Sequence, residues 1–210
     1  MRQPVAVLIS GSGTNLQALI DAASAPDYPA EIRVVISNRR DAFGLQRARD
    51  AGIEALWIPH RGRSRAAFEA ELLEALSERS VSWVALAGFM RLLSEAFLSA
   101  YAGRILNIHP ALLPAFPGVR GARQAVEYGV RIAGATVHFV DAGTDTGPII
   151  LQGAVPVLPD DDDDTLAARI LTIEHQLYPR ALALATSGQL RIEGRRVGLP
   201  DGEPGLLWSR

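Results

Sequence analysis

Short apolar runs alternate with amphipathic segments through the first half of the chain. Runs at 5–10, 31–37, 55–58, 83–88 and 103–109 predict buried strands. Apolar positions spaced three or four apart predict helices at 14–25, 42–52 and 64–79, the last with Ser64 as its N-cap. This alternation predicts an α/β fold with a doubly wound, mostly parallel, Rossmann-like sheet, whose binding sites lie at the carboxyl ends of the strands.

The pattern changes after the fifth strand. Residues 111–122 are rich in proline and glycine and predict a loop. Apolar runs at 134–140 and 148–157 flank a polar turn, which predicts an antiparallel C-terminal extension of the sheet. A helix is predicted at 164–186, and a hairpin that turns at Glu193-Gly194. We see no repeat and no linker, so we expect one domain over residues 1–210.

Composition narrows the function classes. The chain has 210 residues, a formal net charge of -2 and no cysteine. These values exclude disulfides, thiolate zinc sites and cysteine nucleophiles, and they give no sign of a nucleic-acid-binding surface. No apolar run approaches the ~20 residues of a membrane span, and the start lacks a signal-peptide pattern. We therefore expect a cytoplasmic protein, a monomer or homodimer, that binds neither nucleic acid nor membrane.

A glycine-rich loop at 11–15, with the sequence GSGTN, follows the first strand. Its amides and the helix N-terminus behind it favour a phosphate. A plain strand–helix turn is one alternative. A dinucleotide site is another, although Leu16 stands where its fingerprint needs a third glycine. Arg39 and Arg40 after the second strand would suit NADP in that case.

Asn107, His109 and Asp145 are the candidate acyl-transfer residues. Asn107 and His109 lie two apart on a predicted strand and so face the same side. An asparagine amide can donate to an oxyanion, and an imidazole can carry a proton. Asp145, in a glycine-flanked turn, can fold over the histidine and favour its charged form. A strand-end histidine bonded only to backbone is the alternative.

Other polar positions carry weaker signals. His138 faces the same side of its strand as Thr136; it could line the site, but we expect a structural role. The acidic run 160–164 predicts a solvated helix start. Met90 to Leu93 could form an apolar lip for a flat heterocycle, or belong to the core. No metal-ligand spacing occurs, so we expect no metal.

Five segments together, VLISGSGTNLQALI, SNRRDAFGLQRARDAGI, LAGFMRLLS, NIHPALLPAFPG and GATVHFVDAGTDTGPIILQ, resemble the glycinamide ribonucleotide transformylases of purine synthesis. The resemblance runs from about residue 5 to Leu190 and implies the formyltransferase fold. These enzymes transfer a formyl group from 10-formyltetrahydrofolate to the amine of phosphoribosylglycinamide. The resemblance implies those two small molecules as partners and no metal.

The resemblance also implies a role for each matching residue. Asn107, His109 and Asp145 match the catalytic trio. The ribonucleotide would be bound by Gly13, Thr14, Asn15 and Glu174. The folate would be bound by Arg65, Met90, Arg91, Leu92, Leu93, Val140, Asp141, Ala142, Gly143, Thr144 and Asp145. The domain would then divide into a ribonucleotide phosphate-binding half at 1–103, a catalytic and folate-binding half at 104–187 and a tail at 188–210.

Two departures and three alternatives accompany the resemblance. Relatives often carry histidines where this chain has Val119 to Arg123, and a polar residue where it has Leu171. We hypothesise that Arg120 or Arg123 supplies the missing phosphate contact. Methionyl-tRNA formyltransferase and formyltetrahydrofolate hydrolase share the catalytic core but carry additional domains that we do not expect here. A non-enzymatic NADP- or nucleotide-binding module is the third alternative.

Overall fold

A computed structural model describes residues 1–208 of the chain. Across these residues, eight strands join one sheet: β1 (Gln3–Ile9), β2 (Ala30–Ser37), β3 (Glu54–Trp57), β4 (Trp83–Leu86), β5 (Ile105–His109), β6 (Ile132–Phe139), β7 (Ile149–Pro156) and β10 (Leu206–Trp208). Strands β8 (Arg191–Glu193) and β9 (Arg196–Gly198) form a separate hairpin. The last two positions of the tail expected at 188–210 lie outside the described residues.

The sheet has the strand order β10-β7-β6-β5-β4-β1-β2-β3. The pairs among β1 to β5 are parallel, whereas β6 runs antiparallel to both β5 and β7. The doubly wound, mostly parallel sheet with an antiparallel extension is therefore confirmed. The β5–β6 register places Asn107 opposite His138, which brings two polar side chains to the same part of the sheet.

Helices cover both faces of the sheet: α1 (Thr14–Ala23), α2 (Gly44–Asp50), α3 (Arg65–Glu78), α4 (Glu95–Ala100), α5 (Gly121–Tyr128) and α6 (Asp163–Thr186). Alternate residues of β1 belong to two different buried clusters. The first cluster contains apolar residues of α1, α2, α5 and α6, and the second contains those of α3 and α4. Each face of the sheet thus buries apolar side chains, as expected for continuous apolar strands.

Three elements differ from the expectation. The predicted loop at 111–122 ends in α5, which begins at Gly121, and α4 and β10 were not predicted at all. Helix α4 has six residues, and α5 buries only small side chains such as Ala122 and Ala125. Such short or weakly apolar segments carry little periodic signal, so their structure depends on packing rather than on local pattern.

Candidate active site

Two strand residues and one turn residue lie at the centre of the site. Asn107 and His109 face the same side of β5, near the carboxyl end of that strand. Asp145 lies in the turn between β6 and β7, and its Oδ2 atom is 3.4 Å from Nδ1 of His109. The structure therefore brings together the three residues that the sequence singled out.

The surroundings of His109 define where its protons can lie. Its Nε2 atom is 2.9 Å from the carbonyl oxygen of Phe116, which can only accept, so Nε2 carries a hydrogen. Its Nδ1 atom can bond to the carboxylate of Asp145 only when it carries a hydrogen as well. The Asp145 carboxylate thus faces the ring nitrogen that the Phe116 carbonyl does not contact.

Asp145 is held in an uncommon backbone conformation. Its φ of 55° lies in the left-handed region, which is rarely populated by residues other than glycine. Its Oδ2 atom also accepts a hydrogen bond of 2.8 Å from the amide of Gly118. Burial alone would raise the pKa of Asp145, but the nearby His138 ring, the Gly118 amide and His109 outweigh it and lower that pKa below its ordinary value of 3.8. The carboxylate is therefore ionised at neutral pH.

His138 lies against the same cluster, although the sequence favoured a structural role for it. Its Nδ1 atom is 2.8 Å from the carbonyl oxygen of Phe139 and therefore carries a hydrogen. Its Nε2 atom is 3.2 Å from Nδ2 of Asn107 and 3.7 Å from Oδ1 of Asp145. Nε2 therefore lies between the side-chain amide of Asn107 and the carboxylate of Asp145, and it contacts the Asn107 amide directly. The apolar pattern places His138 on a strand, but only the register between β5 and β6 reveals its contact with Asn107.

Two cavities meet at these residues. A cavity of about 400 Å³ is lined by Arg65, by residues 91–95 and by the turn 140–145. A second cavity, of about 760 Å³, is lined by Asn15, Glu174, residues 88–92 and residues 107–110. Both are lined by Asn107 and Asp145. Two molecules bound in separate cavities could therefore contact each other at the catalytic candidates.

The residues expected to bind folate lie mainly on the smaller cavity. Arg65, Arg91, Leu92, Leu93 and all six residues of the turn 140–145 line it. Met90 lines the larger cavity instead. Within residues 1–208, the backbone N–H and C=O groups of residues 91–93 have no hydrogen-bond partner. They are therefore free to bind the polar edge of a ring.

Two residues of α2 donate hydrogen bonds to carbonyl groups of the glycine-rich loop. The Gly44 amide donates to the Gly11 carbonyl over 3.1 Å, and Arg47 Nε donates to the Ser12 carbonyl over 2.9 Å. Gly13 has a φ of 71°, and a Cβ there would lie 2.7 Å from Cα of Gly44. The amides of the first turn of α1 have no intrahelical acceptor, so they are available to an anion. Gly13 itself lines neither of the two cavities, and Thr14 borders a separate recess with His175.

Asn15 and Glu174 form a hydrogen-bonded pair on the wall of the larger cavity. Nδ2 of Asn15 donates to Oε2 of Glu174 over 2.7 Å. Burial raises the pKa of Glu174 to about 7, although the Asn15 hydrogen bond partly opposes that rise. Within the described part of the chain, Oδ1 of Asn15 is buried without a partner. The pair therefore offers unused acceptor atoms to hydroxyl or amine donors.

The two arginines considered as replacements for a missing phosphate contact have different surroundings. Arg120 lines the larger cavity, with a left-handed φ of 61°. Arg123 lies on the exposed face of α5, where its Nε pairs with Glu127 over 2.7 Å. Of the two, Arg120 is therefore better placed to meet a substrate.

Two absences concern the described chain only. Residues 1–208 contain no group of three or more histidine, cysteine, aspartate or glutamate side chains that could hold a metal ion. Among those same residues, every helix is too short or too polar to cross a membrane.

Comparison with known proteins finds formyltransferases both by sequence and by structure. The formyl transferase family matches residues 3–182. Phosphoribosylglycinamide formyltransferase of Escherichia coli (strain K12) is 46% identical over 200 residues, which cover 95% of this chain and 94% of that protein. The crystal structure of glycinamide ribonucleotide transformylase 1 from Symbiobacterium toebii is 54% identical, with a TM-score of 0.93 over 95% of both chains.

A longer relative also matches. The trifunctional purine biosynthetic protein adenosine-3 of Drosophila melanogaster is 53% identical over 190 residues, which cover 89% of this chain. The match spans only 14% of the length of that fly protein.

Proposed function

The chain belongs to the formyl transferase family, and on that premise we propose that it transfers a formyl group from 10-formyltetrahydrofolate to the amine of phosphoribosylglycinamide. The observation that carries the proposal is the pair of cavities that share Asn107 and Asp145. Direct transfer between two substrates requires such a meeting point, because donor and acceptor must be bound together.

The folate occupies the smaller cavity in this proposal. Its flat ring lies against residues 91–93 and the turn 140–145, and its glutamate carboxylates meet Arg65. The apolar side chains of Leu92 and Leu93, together with unpaired backbone groups, support a site for a polar heterocycle.

The ribonucleotide occupies the larger cavity. Its phosphate extends beyond that cavity, past Asn15 to Gly13 and Thr14, where the first-turn amides of α1 favour an anion. Glu174 accepts hydrogen bonds from the same substrate. The assignment of residues 1–103 to phosphate binding and of 104–187 to catalysis and folate binding belongs to the proposal, with Glu174 as a contribution of the second part to the first site.

The proposed reaction is a direct attack of the substrate amine on the formyl carbon. A carbon–nitrogen bond forms, and the electron pair of the carbonyl moves onto oxygen. Asn107 donates from Nδ2 to that oxyanion, and the positive charge of His109, favoured by Asp145, stabilises it. Both N–H groups of His109 face protein acceptors, so a direct bond from His109 to the oxyanion requires the Phe116 carbonyl to give up its contact.

Collapse of the tetrahedral intermediate completes the transfer. The bond between the formyl carbon and N10 of the folate breaks, and the electron pair returns to form the new amide carbonyl. The attacking amine loses one proton, and N10 gains one, so the products are the formylated ribonucleotide and tetrahydrofolate. Neither a metal nor a covalent enzyme intermediate takes part in this scheme.

The test is a transferase assay with both substrates. We expect Asn107→Ala to lower kcat about 100- to 1,000-fold, because one oxyanion donor is lost. Asp145→Asn should also lower kcat, because the amide no longer favours the charged histidine. Gln46→Ala is the control, since Gln46 is exposed on α2 and bonds only to Asp50. Wild-type turnover in both Asn107→Ala and Asp145→Asn would refute the assigned roles.

The same assay separates the proposal from its alternatives. Formate release without the ribonucleotide would indicate a hydrolase. Binding of NADP, with no transferase activity, would indicate a nucleotide-binding module. The proposal includes a cytoplasmic location, favoured by the cysteine-free composition, and a monomer or homodimer whose partners are the two substrates.

A further inference from the structure

A buried carboxylate outside the catalytic cluster joins two parts of the smaller cavity. Glu69 lies one turn after Arg65 on α3, and its side chain is only 6% exposed. A carboxylate so deeply buried requires several donors to offset its desolvation. Its role is not explained by the chemistry of formyl transfer.

The donors to Glu69 come from two separate elements. Arg65 Nε donates to Oε1 of Glu69 over 3.2 Å. The backbone amide of Ser94 donates to the same atom over 2.8 Å, and the Ser94 hydroxyl donates to Oε2. Arg65 and Ser94 both line the smaller cavity. One carboxylate therefore sets the distance between the N-terminus of α3 and the segment that leads into α4.

The segment 89–94 is held at its ends and free in its middle. At one end, the Phe89 ring stacks on Phe68, with centroids 6.5 Å apart, and the Met90 amide donates to the Ser10 hydroxyl over 2.9 Å. At the other end, Glu69 binds Ser94. Residues 91–93 between these anchors have no backbone hydrogen bonds within residues 1–208. Glu69 therefore determines how this free stretch lies along the cavity.

Arg65 is also oriented by Glu69. Its side chain is 46% exposed, so without a partner it would sample many rotamers and lose entropy on binding. The contact uses Nε and leaves the terminal nitrogens of the guanidinium free to bind an anion. The guanidinium group of Arg65 is thus oriented before a ligand binds, with its terminal nitrogens at the edge of the cavity.

We propose that Glu69 is a positioning residue for the folate co-substrate, which holds Arg65 and residues 91–93 in the arrangement that binds the glutamate and the ring. This inference rests on the proposed function, because it assigns the smaller cavity to folate. It predicts that Glu69 acts on folate affinity and leaves the ribonucleotide site unchanged.

The test is calorimetric titration of the full chain with tetrahydrofolate and, separately, with phosphoribosylglycinamide. Glu69→Gln should raise the Kd for tetrahydrofolate about tenfold, which corresponds to about 1.4 kcal/mol, and change the Kd for the ribonucleotide less than about twofold. Glu71→Gln is the matched control, because Glu71 lies on the same helix and pairs only with Arg63. It should change neither Kd by more than about twofold.

A double-mutant cycle tests whether the effect passes through Arg65. Glu69→Gln should weaken folate binding less in an Arg65→Ala background than in the wild type, because the guanidinium group that Glu69 orients is already absent. Tetrahydropteroate, which lacks the glutamate, should likewise show a smaller loss. Should Glu69→Gln fold poorly, Glu69→Asp keeps the charge but shortens the side chain, and it should raise the same Kd in the same selective way.

Three results would overturn the inference. Tetrahydrofolate affinity within about twofold of wild type in the Glu69 variants would contradict it. Equal weakening of both ligands would show a general structural role instead. Failure of the wild-type chain to bind tetrahydrofolate would overturn the proposed function as well, whereas the first two results leave that function intact.

Discussion

Replacing Glu174 by glutamine should stabilise the protein at alkaline pH and leave it nearly unchanged in mild acid. The pKa of Glu174 is raised by burial to about 7, against an ordinary value of 4.5. These two values differ by about 2.5, and each unit of pKa corresponds to about 1.36 kcal/mol, so ionising Glu174 in the folded state costs about 3 kcal/mol. Glutamine has nearly the same shape and cannot ionise.

The pH dependence follows from proton binding in the two states. Below pH 4.5, the folded and the unfolded chain both keep the proton, so burial of Glu174 does not lower the free energy of unfolding. As the pH rises through 4.5, the unfolded chain releases its proton while the folded chain retains it, so stability falls. Above pH 7 the folded chain is ionised too, and the cost stays constant. The penalty therefore develops between about pH 4.5 and 7.

Urea unfolding of both proteins at several pH values between 5 and 8 measures this penalty. The free energy of unfolding of Glu174→Gln, relative to wild type, should increase by about 2 to 3 kcal/mol from pH 5 to pH 8. Glu74→Gln is the control, because Glu74 is exposed on α3 and forms no ion pair among the described residues. If the difference in free energy of unfolding between Glu174→Gln and wild type stays constant within about 0.5 kcal/mol from pH 5 to pH 8, the reasoning is refuted.

Three further predictions address the loop, the core and the catalytic cluster. Gly13→Ala should weaken ribonucleotide binding and lower the free energy of unfolding by about 1 kcal/mol or more, because the new Cβ would lie 2.7 Å from Gly44 Cα and the backbone there is left-handed. Calorimetric titration and urea unfolding measure these two effects, and wild-type values in both would contradict the prediction. Tyr178→Phe should lower the free energy of unfolding by about 1 to 2 kcal/mol, because its buried hydroxyl shares its single hydrogen between two strand carbonyls. Unchanged urea unfolding would show that this contact is unimportant. His138→Phe should lower kcat about tenfold or more, because Asn107 loses the ring nitrogen that contacts its side-chain amide. A wild-type kcat would exclude that role.

The sheet could be predicted because its strands are uninterrupted apolar runs that end at polar or glycine residues. The run before Gly11 and the run that contains Asn107 are typical of buried parallel strands, and the structure has them as β1 and β5. The order of the strands along the chain and their hydrophobicity therefore suffice to place the glycine-rich loop and Asn107 at the same edge of the sheet, where the carboxyl ends of the strands lie.

The contacts within the site required the register and the loop conformations. His138 lies beside Asn107 only because β6 pairs antiparallel with β5 at one particular register, and a shift by one residue would turn it to the other face. The carbonyl of Phe116 reaches His109 because Phe116 adopts a left-handed φ of 54°. Neither a cross-strand register nor the backbone angle of one loop residue can be read from hydrophobic periodicity.

Helix α6 combines a costly polar residue with the apolar residues that offset its cost. Ionised Glu174 destabilises the folded chain by about 3 kcal/mol, as argued above. Ile173, Leu177 and Tyr178 on the same helix are at most 1% exposed, and each such side chain contributes about 1.5 to 3 kcal/mol by burial. Three of these side chains exceed the cost of one buried carboxyl group. The long helix can therefore hold Glu174 against Asn15, a residue far away in sequence, without loss of the fold.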